Sequence, residues 1–146
     1  MTGVQTCALP ISVGGYPLGF ATSTEILFYS NIDTDILTER VRYFVDGDIL
    51  KKGVTKPTGE LFYEYNTSTE QISELVHSLS TPINTVFSYY DGTYNGADAT
   101  STMTYPIILP RVRVIGVKLE VKQSSAPNAP IVEIKTKVQL RNLKTN

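Results

Sequence analysis

Two stretches in the last third of the chain alternate strictly between apolar and polar side chains. Residues 115–121 carry apolar side chains at every second position, and residues 132–140 repeat the pattern with one threonine in the apolar set. A period of two places alternate side chains on opposite faces of a β-strand. Each stretch is therefore predicted to be a strand with one buried and one solvated face, and the two are predicted to pair. The apolar set shifts by one position before Ile115, which predicts a β-bulge near Gly116.

Most of the chain before these stretches also predicts strands. Short runs of β-branched and aromatic residues suit a pleated, half-buried surface. Asp46-Gly47 is typical of a tight hairpin, so the runs on either side of it are predicted to be antiparallel neighbours. The predicted strands are residues 25–30, 37–45, 48–55, 60–65 and 83–90. The first four of them are predicted to form an antiparallel meander.

One segment, residues 66–80, has a different period. Ile72, Leu75, Val76 and Leu79 follow helical spacing, and Ser68 with Gln71 three positions later resembles a capping box. We expect a short amphipathic helix here, although residues 75–79 also fit a strand. The predicted fold class is α+β, a mainly antiparallel meander with a short helix. Because that helix is too small to cover the apolar face of the sheet, we also expect a missing lid.

The composition narrows the range of functions. The chain has 146 residues with a formal net charge of −1, which suits one domain and gives no electrostatic basis for nucleic-acid binding. No apolar run is long enough to cross a membrane. No nucleophile, base and orienting group come together in the sequence, so we expect no enzymatic activity.

The first residues differ in character from the rest. Residues 1–12 resemble the translated sequence of a common sequencing-library adaptor and are predicted to be non-native; they include the sole cysteine, Cys7. Residues 13–23, rich in glycine, are predicted to be a linker. Residues 24–146 are predicted to form the folded domain, and the natural N-terminus is expected to lie further upstream.

An acidic segment separates the first two predicted strands. Oxygen-bearing side chains recur at alternate positions and a further carboxylate follows, which is the kind of ligand set that a hard cation such as calcium needs. The predicted ligands at loop positions one, three, five, seven and nine are Asn31, Asp33, Asp35, the Leu37 carbonyl and Glu39.

The same segment has a simpler interpretation. Its aspartates can cap backbone amides in an Asp-rich turn without binding any metal. Calcium loops usually have glycine at position six, where this chain has Ile36, and a β-branched residue held at positive φ would be strained. Calcium is therefore a predicted cofactor that competes with a purely structural turn.

Five segments together resemble a known family. They are FYSNIDTD (28–35), ERVRYF (39–44), PINTVFSYYD (82–91), VRVIGVKLEV (112–121) and VQLRNLK (138–144). Their order is similar to that in the C-terminal globular part of type IV pilin-like proteins, especially minor pilins and the pseudopilins of type II secretion. The resemblance covers residues from about 24 to the C-terminus.

The resemblance implies a structural role. Members of that family have a cleaved prepilin leader and a long N-terminal helix, whose first half sits in the membrane or filament core and whose second half packs on the sheet. It implies a subunit that assembles filaments at the cell surface or in the periplasm, with other pilin or pseudopilin subunits as partners and a membrane contact through the missing helix. It brings no catalytic residues.

A second interpretation stays open. An extracellular β-sheet binding module, of the adhesin or carbohydrate-binding type, would have a similar composition. Tyr89, Tyr90, Tyr94 and Tyr105 are the candidate residues for a sugar-binding platform, although core and edge packing in a β domain explains them better.

Overall fold

The residues that the structure describes form β-strands and two short 3₁₀ turns. The computed structural model describes residues 17–59, 63–80, 85–97 and 101–140. The turns are Thr67–Thr69 and Leu109–Arg111. The strands are β1 (Leu18–Ala21), β2 (Glu25–Ser30), β3 (Glu39–Asp46), β4 (Ile49–Thr55), β5 (Gln71–Val76), β6 (Phe87–Tyr90), β7 (Val114–Lys122) and β8 (Ile131–Gln139).

The first five strands form one antiparallel meander in the order β1-β2-β3-β4-β5. The hairpin between β3 and β4 is confirmed, because Asp46 pairs with Ile49 across a two-residue loop. Gly47 in that loop has a φ of 62°, which a residue without a Cβ adopts most readily. The hairpin fixes the register that brings the far ends of β3 and β4 together.

The last three strands form a second sheet in the order β6-β7-β8. The predicted closing pair is confirmed, since β7 and β8 pair antiparallel from Val114↔Gln139 to Lys122↔Ile131. The predicted bulge near Gly116 is wrong, because the register is continuous along both sides of β7. Val114 and Ile115 are both buried although they point to opposite faces. The phase shift therefore marks the end of a strand that is covered on both sides.

The core lies between the two sheets. Buried apolar residues from both of them form one cluster, which includes Leu18 and Ile26 from the first sheet and Phe87, Tyr89 and Ile115 from the second. Tyr89 is fully buried, and its hydroxyl donates a hydrogen bond of 2.8 Å to the Thr22 carbonyl oxygen between β1 and β2. The second sheet thus covers part of the apolar face for which we expected a missing lid.

A short extended segment joins the sheets after β5. The Leu79 amide donates to the Asp48 carbonyl oxygen at 2.9 Å, and the Ser80 amide donates to the Glu120 carbonyl oxygen at 2.7 Å. The Leu79 side chain is 3% exposed and belongs to the core. Because residues 78–80 pair with both sheets, they help to hold the sheets in a fixed relation.

The predicted short helix over residues 66–80 is wrong, and with it the α+β class. Asn66 caps the 3₁₀ turn by accepting the Ser68 amide on its Oδ1, after which β5 pairs with β4. Ile72 is 54% exposed and Leu75 is 46% exposed, so these side chains do not form a buried helical stripe. Pairing with the open edge of β4 outweighs the local helical spacing, and the described residues form an almost entirely antiparallel β structure.

Other boundaries also differ from the expectations. Residues 18–21 of the predicted linker form β1, with Leu18 and Ala21 buried against the core. Of the predicted strand at 60–65, residues 60–62 lie outside the described residues, and Thr58 and Glu64 form an isolated bridge. Of the predicted strand at 83–90, residues 83–84 lie outside the described residues and the strand comprises Phe87–Tyr90. Residues 1–12 also lie outside them.

Candidate metal site and apolar groove

The acidic segment forms the loop between β2 and β3. The strands meet at the Ser30↔Glu39 pair, so residues 31–38 leave the sheet and return to it. Asp33, Asp35 and Glu39 each place a carboxylate oxygen within 4.8 Å of those of the other two. Three oxygen donors at this separation form a cluster that could hold a metal ion.

Glu39 distinguishes this cluster from an ordinary surface group of acids. Its side chain is 0% exposed. Its Oε2 accepts a hydrogen bond of 3.0 Å from the Ile32 amide, whereas its Oε1 has no hydrogen-bond partner among the described residues. Buried polar atoms are normally paired because desolvation without a partner is costly. A bound cation would supply the missing partner.

The two aspartates use their oxygens for two different purposes. Oδ1 of Asp33 accepts the Asp35 amide at 2.9 Å, and Oδ1 of Asp35 accepts the Leu37 amide at 2.8 Å. Both side chains are therefore turn formers, as the simpler interpretation predicts. Their Oδ2 atoms face Lys56, whose Nζ lies 2.5 Å from that of Asp33 and 3.1 Å from that of Asp35. Turn formation and cation binding are compatible because they use different oxygens.

The remaining predicted ligands have other contacts. The Asn31 side-chain amide nitrogen donates to the Asp35 carbonyl oxygen at 2.5 Å, and so closes the loop. Leu37 contacts the cluster through its backbone amide, which is bound by Asp35. Of the predicted ligands, the structure thus brings Asp33, Asp35 and Glu39 together. Asn31 instead stabilises the loop through its hydrogen bond to the Asp35 backbone.

Ile36 does not have the positive φ that would strain a β-branched residue at position six. Ile36 is 94% exposed, and Ser78 is the one non-glycine residue with positive φ in the part of the chain that the structure describes. The loop turns through its two aspartate caps, so it does not need a residue with positive φ at position six.

Lys56 is the residue of this site that sequence reasoning missed. It follows β4 directly and lies far from the acidic segment in the sequence. Its hydrogen bond to Asp33 is the main cause that lowers the pKa of that carboxyl. The hydrogen bonds to Asp33 and Asp35 raise the pKa of the Lys56 ammonium in return. The cluster therefore already contains one cation, supplied by the chain itself.

A second feature is an open groove between the two sheets, with a volume of about 660 Å³. Its walls are mainly apolar, with Leu18, Ile26 and Phe28 on one side and Phe87, Val117 and Val138 on the other. The groove continues onto the apolar face of β8, where Val132, Ile134 and Val138 are 41%, 51% and 50% exposed. An exposed apolar surface that continues from a groove is typical of an interaction site.

A smaller pocket of about 300 Å³ lies on the other face of the first sheet. Tyr29 and Tyr65 line it with ring centroids 5.2 Å apart, and Phe20 and Arg40 are also among its lining residues. Burial raises the pKa of Tyr65 to about 12, and its hydroxyl donates to the Thr38 carbonyl oxygen at 2.7 Å. The four tyrosines proposed from the sequence as a platform lie elsewhere, with Tyr89 and Tyr90 buried.

Comparison with known proteins gave no match, whether to a family model, to a curated protein or to a solved structure. None of the helical segments that the structure describes is long and apolar enough to span a membrane.

Proposed function

We propose that this protein is a structural subunit of a filament of the type IV pilus or type II secretion kind, a minor pilin or pseudopilin that acts in assembly. The observation that carries the proposal is the apolar groove between the sheets. In this proposal the groove holds an apolar helix of the same polypeptide, which links the domain to the membrane and to neighbouring subunits.

The position of β1 supports this occupant. Pro17 and Leu18 line the groove, so the chain passes along its edge as it enters the first strand. A helix that precedes β1 could therefore lie in the groove without a long connection. The exposed apolar residues of β8 would widen the buried contact. Each apolar side chain that such a helix covers would contribute about 1.5–3 kcal/mol when fully buried.

The genomic sequence upstream of the codons for the folded domain tests this function. The proposal predicts a short basic leader followed by an apolar helix of about 20 residues, the length needed to cross a membrane. Another folded domain at that position, without leader and helix, would contradict the proposal. It would instead favour an extracellular binding module.

The binding module is the second candidate because of the small aromatic pocket. Phe20 offers exposed ring surface and the largely buried rings of Tyr29 and Tyr65 also line the pocket. Beside them lies the Arg40 guanidinium, whose Nη1 is 3.5 Å from Glu70 Oε1. Aromatic faces combined with a few polar groups suit a sugar ring. Binding of neutral oligosaccharides that is lost in Tyr65→Ala would support this candidate.

We also propose that the acidic cluster binds calcium. Its donors are carboxylate oxygens, which suit Ca²⁺, whereas zinc prefers nitrogen and sulfur ligands. The unpartnered Oε1 of the buried Glu39 is the observation that carries this proposal. Bound calcium would join the first residue of β3 to the loop that precedes it, and would keep this end of the first sheet ordered for contacts within a filament.

Thermal unfolding with calcium and with chelator tests the metal proposal. A ligand at 100 times its Kd stabilises the folded state by about 2.7 kcal/mol, which corresponds to a Tm rise of about 5–10 °C for a chain of this size. Asp33→Ala should abolish the difference between the two conditions. Equal Tm values for the unmodified protein in calcium and in chelator would contradict calcium binding.

A further inference from the structure

We propose that Lys56 is a built-in competitor for the cation position, so that calcium binds by displacing the Lys56 ammonium from Asp33 and Asp35. The inference rests on the proposed calcium function and adds a residue that sets the affinity of the site. Calcium binding is then an exchange of one cation for another, in which no covalent bond is made or broken.

The atoms that both Lys56 and calcium would bind are the Oδ2 oxygens of Asp33 and Asp35. Each Oδ1 is held by a backbone amide within the loop, so each aspartate offers its other oxygen to a cation. Lys56 Nζ lies at 2.5 Å and 3.1 Å from those two oxygens. A calcium ion that bound both aspartates without breaking the turn would need these same atoms.

Glu39 gives the exchange its preference for a divalent ion. The ion pairs of Lys56 are with Asp33 and Asp35, and the Glu39 Oε1 has no hydrogen-bond partner in the described ranges. One ammonium therefore serves two of the three carboxylates and leaves a fully buried oxygen unpaired. A calcium ion accepts six to eight oxygen ligands and can bind all three carboxylates at once.

Lys56 can leave the cluster at little cost. Its side chain is 58% exposed and it lies just beyond the last residue of β4, so no strand pairing depends on its position. A lysine side chain has a flexible four-carbon stem and a strongly hydrated ammonium. On displacement the ammonium would move into water, while the loop would keep its two aspartate-capped turns.

Calcium titration of the folded protein by calorimetry tests the inference with two matched variants. Lys56→Met removes the competing charge, and Lys52→Met removes the same charge from a β4 position that pairs with Tyr43 in the sheet. Calcium binding to the unmodified protein must break two exposed ion pairs, whereas in Lys56→Met these ion pairs are absent. We therefore expect Lys56→Met to bind calcium about tenfold more tightly than the unmodified protein. Lys52→Met should bind with the unmodified affinity.

The outcomes separate this inference from the metal proposal. Calcium binding by the unmodified protein, with equal or weaker binding by Lys56→Met, would overturn the competitor role and leave the calcium site standing. Absence of binding in every variant would overturn both. Binding by Lys56→Met alone would support the inference, because the site would then be present and blocked by the lysine.

A second measurement does not depend on any variant. The side-chain ammonium resonance of Lys56, followed by NMR during a calcium titration, should change from a bound to a solvent-exposed signal at the same calcium concentration at which heat is released. An unchanged Lys56 signal at saturation would contradict displacement.

Discussion

Glu39 has two features that rarely occur together in one side chain. It is an ionisable acid with no exposed surface, and one of its oxygens lacks a partner among the residues that the structure covers. An unpaired carboxylate in the interior lowers the stability of the folded state. In the proposed cation site beside Asp33 and Asp35, a bound ion would offset that cost.

The residues of this site differ in how readily the sequence reveals them. The spacing of Asp33, Asp35 and Glu39 indicates a cluster because one short loop contains both aspartates and Glu39 directly follows that loop. Lys56 gives no such local signal. The hairpin at Asp46 and Gly47 nevertheless indicates where Lys56 lies, because it fixes the register between β3 and β4. Along that register Lys56 follows the Arg40↔Thr55 pair and falls opposite Glu39. The sequence does not reveal the role of Asn31, because that role depends on the direction in which its side chain points.

Replacement of Glu39 by glutamine is expected to abolish calcium binding and to stabilise the metal-free protein. Glutamine keeps an oxygen for the Ile32 amide but removes the charge, so the free energy of unfolding in chelator should rise by about 1 kcal/mol. Urea denaturation with chelator and with calcium measures both effects. The exposed Glu64→Gln is the charge-matched control and should change neither. Calcium binding by Glu39→Gln with unmodified affinity would contradict the role of Glu39.

At the scale of elements, alternation in the sequence is a more reliable guide than helical spacing. The strict period of two in β7 and β8 predicts their pairing because it leaves one consistent apolar face. In the segment around β5, the four apolar residues at positions 72, 75, 76 and 79 have the spacing of one face of a helix. They are not one set in the structure, since Leu75 faces solvent and Leu79 enters the core. The open edge of β4, which local sequence does not reveal, decides between the two.

Two leucines four residues apart test the structure of this segment. Leu79→Ala should lower the free energy of unfolding by about 2–4 kcal/mol, because it removes a fully packed side chain. Leu75→Ala should lower it by less than about 1 kcal/mol, because Leu75 is 46% exposed. Equal losses in urea denaturation would contradict the strand, since a helix would bury both leucines on one face.

At the scale of the whole molecule, the sequence predicts faces but not what packs against them. Alternation indicates that β7 and β8 have an apolar side, yet it does not identify the first sheet as the element that covers part of it. In this second sheet the covered part includes Phe87 on β6 and Ile115 on β7, and the uncovered part includes Ile134 and Val138 on β8. The second sheet thus covers part of the face for which we expected a lid, and a groove remains open over the rest.

The measurement that most directly tests the account is hydrophobic-dye fluorescence of the purified chain, compared between two variants of β8. Val138→Asp places a charge in the groove, whereas Ile131→Asp places the same charge on the opposite face of the strand, at a residue of similar exposure. A groove that awaits an apolar helix predicts strong dye fluorescence in the unmodified protein and in Ile131→Asp, and at least a severalfold loss in Val138→Asp. A dye-negative, monomeric unmodified protein would show that the groove needs no occupant and would contradict the account.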